Sequence, residues 1–512
     1  MAGLADMLLM YAKTSPTKEM LVGDGRSITY QEGFERIGSL IQSLKGLGLK
    51  PGDRLALMMY NQPEYVETYL ACMLMGVTPV FIGYKLKGDE LSHILKNSEA
   101  KAVVVDRTIM DRVEEVHGKA YRFIDGGLIV TGKEEARGFL AYEDFIASNA
   151  SSLEALAEEG SAPMIYTSGT TGRPKGAYRE KMSEGNFILV MNAISEFGYT
   201  SEERHLAVCP LYHSAPFLFA TLTLAVGGTL VLMRHFEPEA MLRLLKEQRV
   251  TSTFVVPTVL NALVSLPEST KLAYKDLPDL RIIICAGAPL FPDTKEGIIN
   301  WLGDKLSEFY GSTEAGINIY MPPGEMKRHI TVCGRPFPGN ELKILDESGN
   351  ECPPGVPGEL FMKNPWMIDA YYRDDEGTKK VFRDGFISVG DVAIKDEDGY
   401  YAIVDRKTDM VISGGVNVYP AEVEQAIMLH PKVYDAAVIG VPDAYWGERV
   451  AAVVVPKQDG SLTQEELSGF LTQRLADYKV PKEITFVSEI PRNPQGKTLK
   501  SQIKEVWIKQ HA

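Results

Sequence analysis

A dense group of phosphate-binding residue types follows the apolar segment 163–166. Hydroxyl side chains donate hydrogen bonds, glycines let backbone amides approach an anion closely, and a lysine adds a mobile positive charge. Because Gly176, and not a serine or threonine, follows the lysine, this is not the common Walker A loop. The candidate phosphate-binding residues here are Thr167, Ser168, Gly169, Thr170, Thr171, Gly172 and Lys175.

A second group of chemically useful residues lies at 309–316. Tyr310 can stack on a base, and Gly311 permits close approach of the backbone. Thr313 and Glu314 offer hard oxygen atoms of the kind that Mg²⁺ prefers, and Ser312 lies beside them. Residue types alone make this stretch a weak candidate for a site that holds a nucleotide and Mg²⁺.

A third candidate is Asp391, in the sequence Ser388-Val-Gly-Asp391. A carboxylate accepts two hydroxyl protons well, which suits a ribose diol.

In order and spacing, these motifs resemble those of the adenylate-forming superfamily, which includes acyl- and aryl-CoA synthetases, peptide-synthetase adenylation domains and beetle luciferases. The resemblance covers essentially the whole chain. It implies that ATP and a carboxylic acid form an acyl-adenylate with release of pyrophosphate, and that a thiol such as CoA then takes the acyl group.

The resemblance implies catalytic roles for Thr313 and Glu314, with Mg²⁺ at Glu314, and it also assigns roles to residues that would be unremarkable alone. It places Gly287 and Ala288 beside the adenine and the acyl carboxylate, and Arg406 at the ribose or phosphate. Lys497, in the terminal sequence Pro491-Arg-Asn-Pro-Gln-Gly-Lys497, would reach the carboxylate–phosphate junction during adenylation. The acceptor side would contain Gly414, Gly415 and Trp446. The hinge position, usually Asp or Lys, is Thr408 here, which puts an electrostatic role for that position in doubt.

The segment 211–222 is expected to carry acyl specificity. The resemblance places His213, Ala215 and Phe217 along the acyl pocket. No acidic residue occurs between His205 and Arg234 to pair with a substrate amine, so an amino acid is disfavoured. The apolar run favours a medium- or long-chain fatty acid. An aryl acid, and a carrier-protein phosphopantetheine arm in place of free CoA, remain the alternatives.

Net charge, cysteine distribution and the lengths of apolar runs argue against several classes of protein. The 512 residues carry 54 basic and 68 acidic side chains, a net charge of −14, which argues against nucleic-acid binding. The five cysteines are scattered, so neither a disulfide framework nor a zinc site is expected, and a cytoplasmic location is favoured. No apolar run is long enough for a transmembrane helix. The oligomeric state is left open, with a homodimer as one option.

Alternation of apolar strands with helical patterns predicts an α/β fold. We expect a large N-terminal region, 1–405, of subdomains with parallel sheets flanked by helices, plus a small β-rich subdomain starting near Gly334. A small, mobile α+β C-terminal domain, 406–512, would carry the catalytic lysine. Pro63 predicts the start of a helix that reaches Leu74, and Thr463 with Glu466 predicts a capping box.

Overall fold

The fold is that of a computed structural model. The structure describes residues 4–134, 136–147, 161–167, 174–179, 184–413, 416–443, 445–457, 461–492 and 498–511. Of the sequence-predicted site residues, Ser168, Gly169, Thr170, Thr171, Gly172, Gly414, Gly415 and Lys497 lie outside these ranges.

Helices and strands alternate through most of the described chain. The first part contains α1 (Leu4–Thr14), β1 (Glu19–Gly23), β2 (Arg26–Thr29), α2 (Tyr30–Gly46), β3 (Arg54–Met58), α3 (Pro63–Leu74), β4 (Thr78–Phe81), α4 (Gly88–Ser98), β5 (Ala102–Val105), α5 (Met110–Val116), β6 (Leu128–Val130), β7 (Leu140–Ala141) and α6 (Tyr142–Ala147). The middle part contains β8 (Met164–Thr167), β9 (Lys175–Tyr178), α7 (Glu184–Glu196), β10 (Arg204–Ala207), α8 (Ser214–Ala225), β11 (Thr229–Leu232), α9 (Pro238–Glu247), β12 (Ser252–Val255), α10 (Pro257–Val264), α11 (Glu268–Ala273), β13 (Ile282–Cys285), α12 (Pro292–Leu302), β14 (Leu306–Ser312) and β15 (Gly316–Met321). The last part contains β16 (Arg335–Pro336), β17 (Glu341–Leu345), β18 (Gly358–Lys363), β19 (Ala370–Tyr371), α13 (Asp375–Val381), β20 (Phe382–Arg383), β21 (Phe386–Ile387), β22 (Asp391–Lys395), β23 (Tyr401–Arg406), β24 (Val411–Ser413), β25 (Val416–Val418), α14 (Pro420–Met428), β26 (Val433–Asp443), β27 (Gly447–Pro456), α15 (Gln464–Thr472), β28 (Glu483–Phe486) and α16 (Lys500–His511).

Two large, mostly parallel sheets form the bulk of the described residues. One has the strand order β16-β15-β14-β13-β12-β10-β11-β1-β2, and the other has the order β19-β9-β8-β4-β3-β5-β6-β7. The inner strands β5 and β13 are buried along their whole length, which explains their continuous apolar sequences. A single core cluster joins both sheets through α3 and α8. The carboxyl ends of such parallel strands are where ligands bind in α/β proteins.

Two smaller sheets complete the described structure. Strands β20-β21-β18-β22-β23, with β17 paired to β18, form an antiparallel sheet that matches the expected β-rich subdomain. Strands β25-β24-β27-β26, with β28 paired to β27, form the last sheet, which has its own buried core. The α/β fold class predicted from the sequence is confirmed. No helix among the described residues has the length and apolar character needed to span a membrane.

The helix predicted from Pro63 to Leu74 has those bounds in the structure. The capping box predicted for α15 is wrong in its second half. Thr463 does accept a hydrogen bond from the backbone N–H of Glu466, but the Glu466 carboxylate lies 2.8 Å from the ammonium of Lys432 instead of returning to the cap. A distant cation therefore outcompetes the local backbone N–H for this carboxylate.

Candidate active site

Glu314 is the point at which three separate segments meet. It lies in the turn between β14 and β15, is only 7% exposed, and accepts hydrogen bonds from the hydroxyls of Thr167 at 3.2 Å and Tyr371 at 2.8 Å. The bulge at Gly311 makes this turn possible, since a Cβ there would lie 2.2 Å from the carbonyl oxygen of Gly316. The structure therefore brings Thr167 and Glu314 together as the sequence predicted.

Lys175, the candidate phosphate-binding lysine, is held by a helix N-terminus. Its ammonium lies 2.8 Å from the Asp374 carboxylate and 5.0 Å from the centre of the Tyr371 ring. Asp374 also caps α13 by accepting from the Gly377 N–H, and the contact with Lys175 and this cap hold the pKa of Asp374 below its usual range. Neither Asp374 nor Tyr371 was predicted from the sequence as a site residue.

Arg179 directly follows β9 and was also missed. Its guanidinium donates to the backbone oxygens of Thr313 at 2.8 Å and Trp366 at 2.6 Å. Desolvation lowers the pKa of Arg179 to about 10, while the nearby charge of Glu314 opposes that shift. Arg179 remains a cation at neutral pH and anchors the turn that carries Thr313 and Glu314.

The candidate nucleotide side is a triad of side chains centred on the buried Asp391. The Tyr310 hydroxyl donates to Asp391 at 2.5 Å, and Nε of Arg406 lies 3.0 Å from the other oxygen of the same carboxylate. Asp391 begins β22, Arg406 ends β23, and the two are register partners in that strand pair. Burial and the Asp391 charge raise the pKa of Tyr310, so its phenol stays protonated. The structure thus groups three residues that the sequence predicted for one site.

Gly287 and Ala288 lie in the turn after β13, the strand that pairs in parallel with β14. Gly287 has φ +95°, a left-handed conformation that favours glycine. The turn therefore follows the strand next to the one that carries Tyr310.

The N-terminus of α8 reaches the same centre. The hydroxyl of Ser214 lies 3.1 Å from that of Thr313. The preceding residue, His213, packs its ring 4.1 Å from that of Tyr212, and burial lowers the pKa of His213 to about 3. His213 is therefore neutral at physiological pH. Ser214 is a further contact that sequence reasoning missed.

The remaining predicted residues lie apart from this centre. Trp446 is half exposed in the turn between β26 and β27, edge-on to Tyr445, and no contact among the described residues joins it to Glu314 or Asp391. Thr408 is exposed just after β23. Neither residue forms part of the assembled site.

No group of three or more potential metal-ligating side chains occurs in the described part of the chain. Glu314 nevertheless suits Mg²⁺, which is typically bound by one or two carboxylates together with water and substrate phosphates. The hydroxyls of Thr167 and Thr313 are further oxygen donors close by.

Comparison with known proteins agrees with this geometry. Residues 10–372 match the AMP-binding enzyme family, and residues 422–497 match the AMP-binding enzyme C-terminal domain. A feruloyl-CoA synthase from an Amycolatopsis species is 35% identical over 98% of this chain and 98% of its own length. A fatty acid–[acyl-carrier-protein] ligase from Streptomyces coeruleorubidus is 30% identical, covering 97% of this chain and 94% of that protein. The crystal structure of ATP-bound MatB from Rhodopseudomonas palustris superposes with a TM-score of 0.87 at 30% identity, over 99% of this chain and 100% of that one.

The matches span both the large N-terminal sheets and the last sheet, so they concern the whole chain. The chain belongs to the AMP-binding enzyme family and is an AMP-forming acid–thiol ligase of the adenylate-forming superfamily.

Proposed function

We propose that the chain activates a carboxylic acid with an uncharged hydrophobic tail as its acyl-adenylate and transfers the acyl group to CoA. The observation that carries this proposal is the meeting of Thr167, Tyr371 and Ser214 around the Thr313–Glu314 turn, beside the triad of Tyr310, Asp391 and Arg406. A phosphate loop, a metal-binding carboxylate and a ribose-binding group then serve one nucleotide.

In the first step, a carboxylate oxygen of the acid attacks the α-phosphorus of ATP. The bond from that phosphorus to the bridging oxygen breaks, and pyrophosphate leaves. The ion pair between Lys175 and Asp374 breaks, and Lys175 then binds the phosphates. Lys497 stabilises charge at the reacting centre. Glu314, together with substrate oxygens, would hold Mg²⁺, which when bound would supply positive charge opposite the phosphates. Asp391 accepts from the ribose hydroxyls, and Arg406 orients Asp391.

In the second step, the sulfur of CoA attacks the acyl carbon, the thiol proton is released, and AMP leaves. We assign the acceptor side to Gly414, Gly415 and Trp446. A carrier-protein phosphopantetheine arm is the second candidate acceptor, because one of the similar proteins is named as a ligase of that kind.

We place the boundary between the two parts of the enzyme at 405/406, with a pivot at Thr408. Arg406 forms an ion pair with Asp391, whereas Thr408 is exposed to solvent. The Asp405 carboxylate, on the N-terminal side of this boundary, accepts a hydrogen bond from the backbone N–H of Ala421 at the start of α14, on the other side. This contact would break when the C-terminal part rotates between the two steps.

The acyl substrate has two candidate classes. The apolar run 211–222 favours a medium- or long-chain fatty acid, and the similarity to a feruloyl-CoA synthase favours an aryl acid. The five cysteines are free thiols, which fits the reducing cytoplasm in which we place the enzyme.

Product analysis tests the proposal. Incubation with ATP, Mg²⁺, CoA and either octanoate or 4-hydroxycinnamate should yield AMP, pyrophosphate and the acyl-CoA in equal amounts. Formation of ADP and phosphate, or ATP use that does not depend on the acid, would contradict it. Exchanging CoA for a phosphopantetheinylated carrier protein separates the two acceptors.

A further inference from the structure

Lys500 is a mostly buried cation at the first residue of α16. A positive charge is unfavourable at a helix N-terminus, where the helix dipole is itself positive, so the helix gives no reason for a lysine here. The side chain is only 15% exposed, and its ammonium lies 2.9 Å from the carboxylate of Glu424 on α14. The same carboxylate accepts a hydrogen bond from the backbone N–H of Val438 on β26 at 2.8 Å. Lys500 therefore connects the start of α16 to both α14 and β26.

Lys500 also faces the boundary that we place after Asp405. Desolvation opposes the charge of Lys500, but Glu424 and Asp405 raise its pKa, so it is a cation at neutral pH. Desolvation likewise raises the pKa of Asp405, and the positive charge of Lys500 opposes that shift. Asp405 is buried on β23 and directly precedes Arg406, which pairs with Asp391. The charge of Lys500 thus acts on the strand that carries Arg406.

The two chain segments that flank Lys497 pair with each other. Arg492 and Thr498 form an antiparallel bridge. The N–H of Leu499 donates to the carbonyl of Pro491 at 2.9 Å. Because Lys497 is bonded directly to Thr498, the position of this pairing limits where the Lys497 side chain can reach.

Two ion pairs hold these flanking segments in place. The Arg492 guanidinium donates to both oxygens of the Asp435 carboxylate on β26, at 2.7 and 2.8 Å. Lys500, two residues after Thr498, supplies the second pair through Glu424. Asp435 belongs to the C-terminal part, whereas Lys500 also acts on Asp405 across the boundary.

We propose that Lys500 is a positioning residue for adenylation, which holds Lys497 in a fixed place relative to β23. The inference rests on the proposed function and adds a residue to it. In the orientation described here, the attraction between Lys500 and Asp405 fixes the start of α16 relative to Arg406. When the C-terminal part rotates, that attraction is lost, while the pair with Glu424 moves with the C-terminal part. Lys500 is therefore needed for the first step and dispensable for the second.

The test measures the two half-reactions separately in matched variants. Acid-dependent exchange of pyrophosphate into ATP without CoA measures adenylation, and acyl-CoA formation from supplied acyl-adenylate measures the second step. Lys500→Met keeps the length of the side chain and removes its charge, whereas Lys500→Arg keeps the charge. Lys504→Met is the control, because Lys504 lies one turn further along α16 and pairs with Glu448 at 2.8 Å. Asp405→Asn removes the charge at the boundary and leaves the Lys500–Glu424 pair, which provides a second route should Lys500→Met fold poorly.

We expect Lys500→Met to reduce adenylation by about 10- to 100-fold, because displacing a reacting group by about 1 Å can have an effect of that size. Acyl-CoA formation from supplied acyl-adenylate should stay unchanged. Lys500→Arg should retain most of the adenylation activity, Asp405→Asn should lower it, and Lys504→Met should alter neither step. Because Lys500 acts through Lys497, Lys500→Met should cause no further loss in a Lys497→Ala background.

Equal losses in both half-reactions would show a purely structural role and would overturn this inference. Unchanged adenylation in both Lys500→Met and Asp405→Asn, or a further loss in the Lys497→Ala background, would overturn it as well. Absence of acid-dependent exchange in the wild type would instead overturn the proposed function.

Discussion

Glu314 gathers contacts from three segments, and its negative charge is the property that Mg²⁺ requires. Glu314→Gln keeps the shape and the hydrogen-bond acceptor for Thr167 and Tyr371 but removes the charge. We expect adenylation to fall by about 10²-fold and the Mg²⁺ concentration for half-maximal activity to rise. Magnesium titrations of pyrophosphate release measure both effects. The exposed Glu347 supplies the control, Glu347→Gln. An unchanged magnesium requirement in Glu314→Gln would place the ion elsewhere.

The ion pair between Lys175 and Asp374 competes with ATP for the lysine. Asp374→Asn retains a good helix cap for α13 and frees Lys175, so we expect KM for ATP to fall by about two- to fivefold. The effect should vanish in a Lys175→Met background, as steady-state kinetics of the single and double variants would show. If Asp374 serves only as a cap, Asp374→Asn will leave KM for ATP unaltered in both backgrounds.

His213 illustrates how burial removes a charge from the site. Its pKa is lowered from 6.5 to about 3, so below about pH 6.5 the unfolded chain binds a proton that the folded chain does not. Stability is therefore lost as pH falls from about 6.5 towards 3, by up to about 1.4 kcal/mol per pH unit. Melting temperatures at pH 7 and pH 5 should differ less in His213→Phe than in the wild type. An equal difference in both proteins would show that His213 titrates normally.

At the scale of the elements, the site is made by strand ends and by one helix start. The turn after β14 carries Thr313, the end of β8 supplies Thr167, and β22 and β23 supply Asp391 and Arg406 as register partners. The start of α8 brings Ser214 to the same turn.

Strand β23 leads directly into the proposed pivot. Thr408→Pro fixes φ near about −65°, and no backbone hydrogen bond among the described residues uses the Thr408 N–H. We expect this variant to keep acid-dependent pyrophosphate release and to lose acyl transfer to CoA. Single-turnover assays of each step separate the two effects, with Lys407→Pro, which removes the bond from the Lys407 N–H to Gly390, as the comparison. Full overall turnover in Thr408→Pro would move the pivot elsewhere.

Features set by interactions within one element were predicted from the sequence, whereas contacts between residues far apart in the chain were not. Local signals predicted the bounds of α3 and the buried strands, because periodicity and Pro63 act within one element. The motifs predicted that Thr167 and Glu314 share a site. They could not predict Asp374 or Tyr371, whose partners lie far away in the chain, and the same limitation made the Glu466 half of the capping box wrong.

At the scale of the whole molecule, one protein must perform two reactions in turn. Lys497 belongs to the first of these, as the residue that would stabilise charge at the reacting phosphate. We expect Lys497→Ala to reduce adenylation by about 10²-fold or more and to spare thioester formation from supplied acyl-adenylate. Rapid-quench measurement of each half-reaction tests this, and an equal loss in both halves would contradict the role of Lys497.

We infer that an acyl-adenylate forms before the thiol is needed. Isotope exchange between labelled pyrophosphate and ATP, measured with an acid present and CoA absent, tests that claim most directly. We expect rapid exchange that depends on the acid and that falls by about 10²-fold in Glu314→Gln. Exchange that required CoA, or its absence with every acid that supports AMP formation in the complete reaction, would contradict an adenylate intermediate.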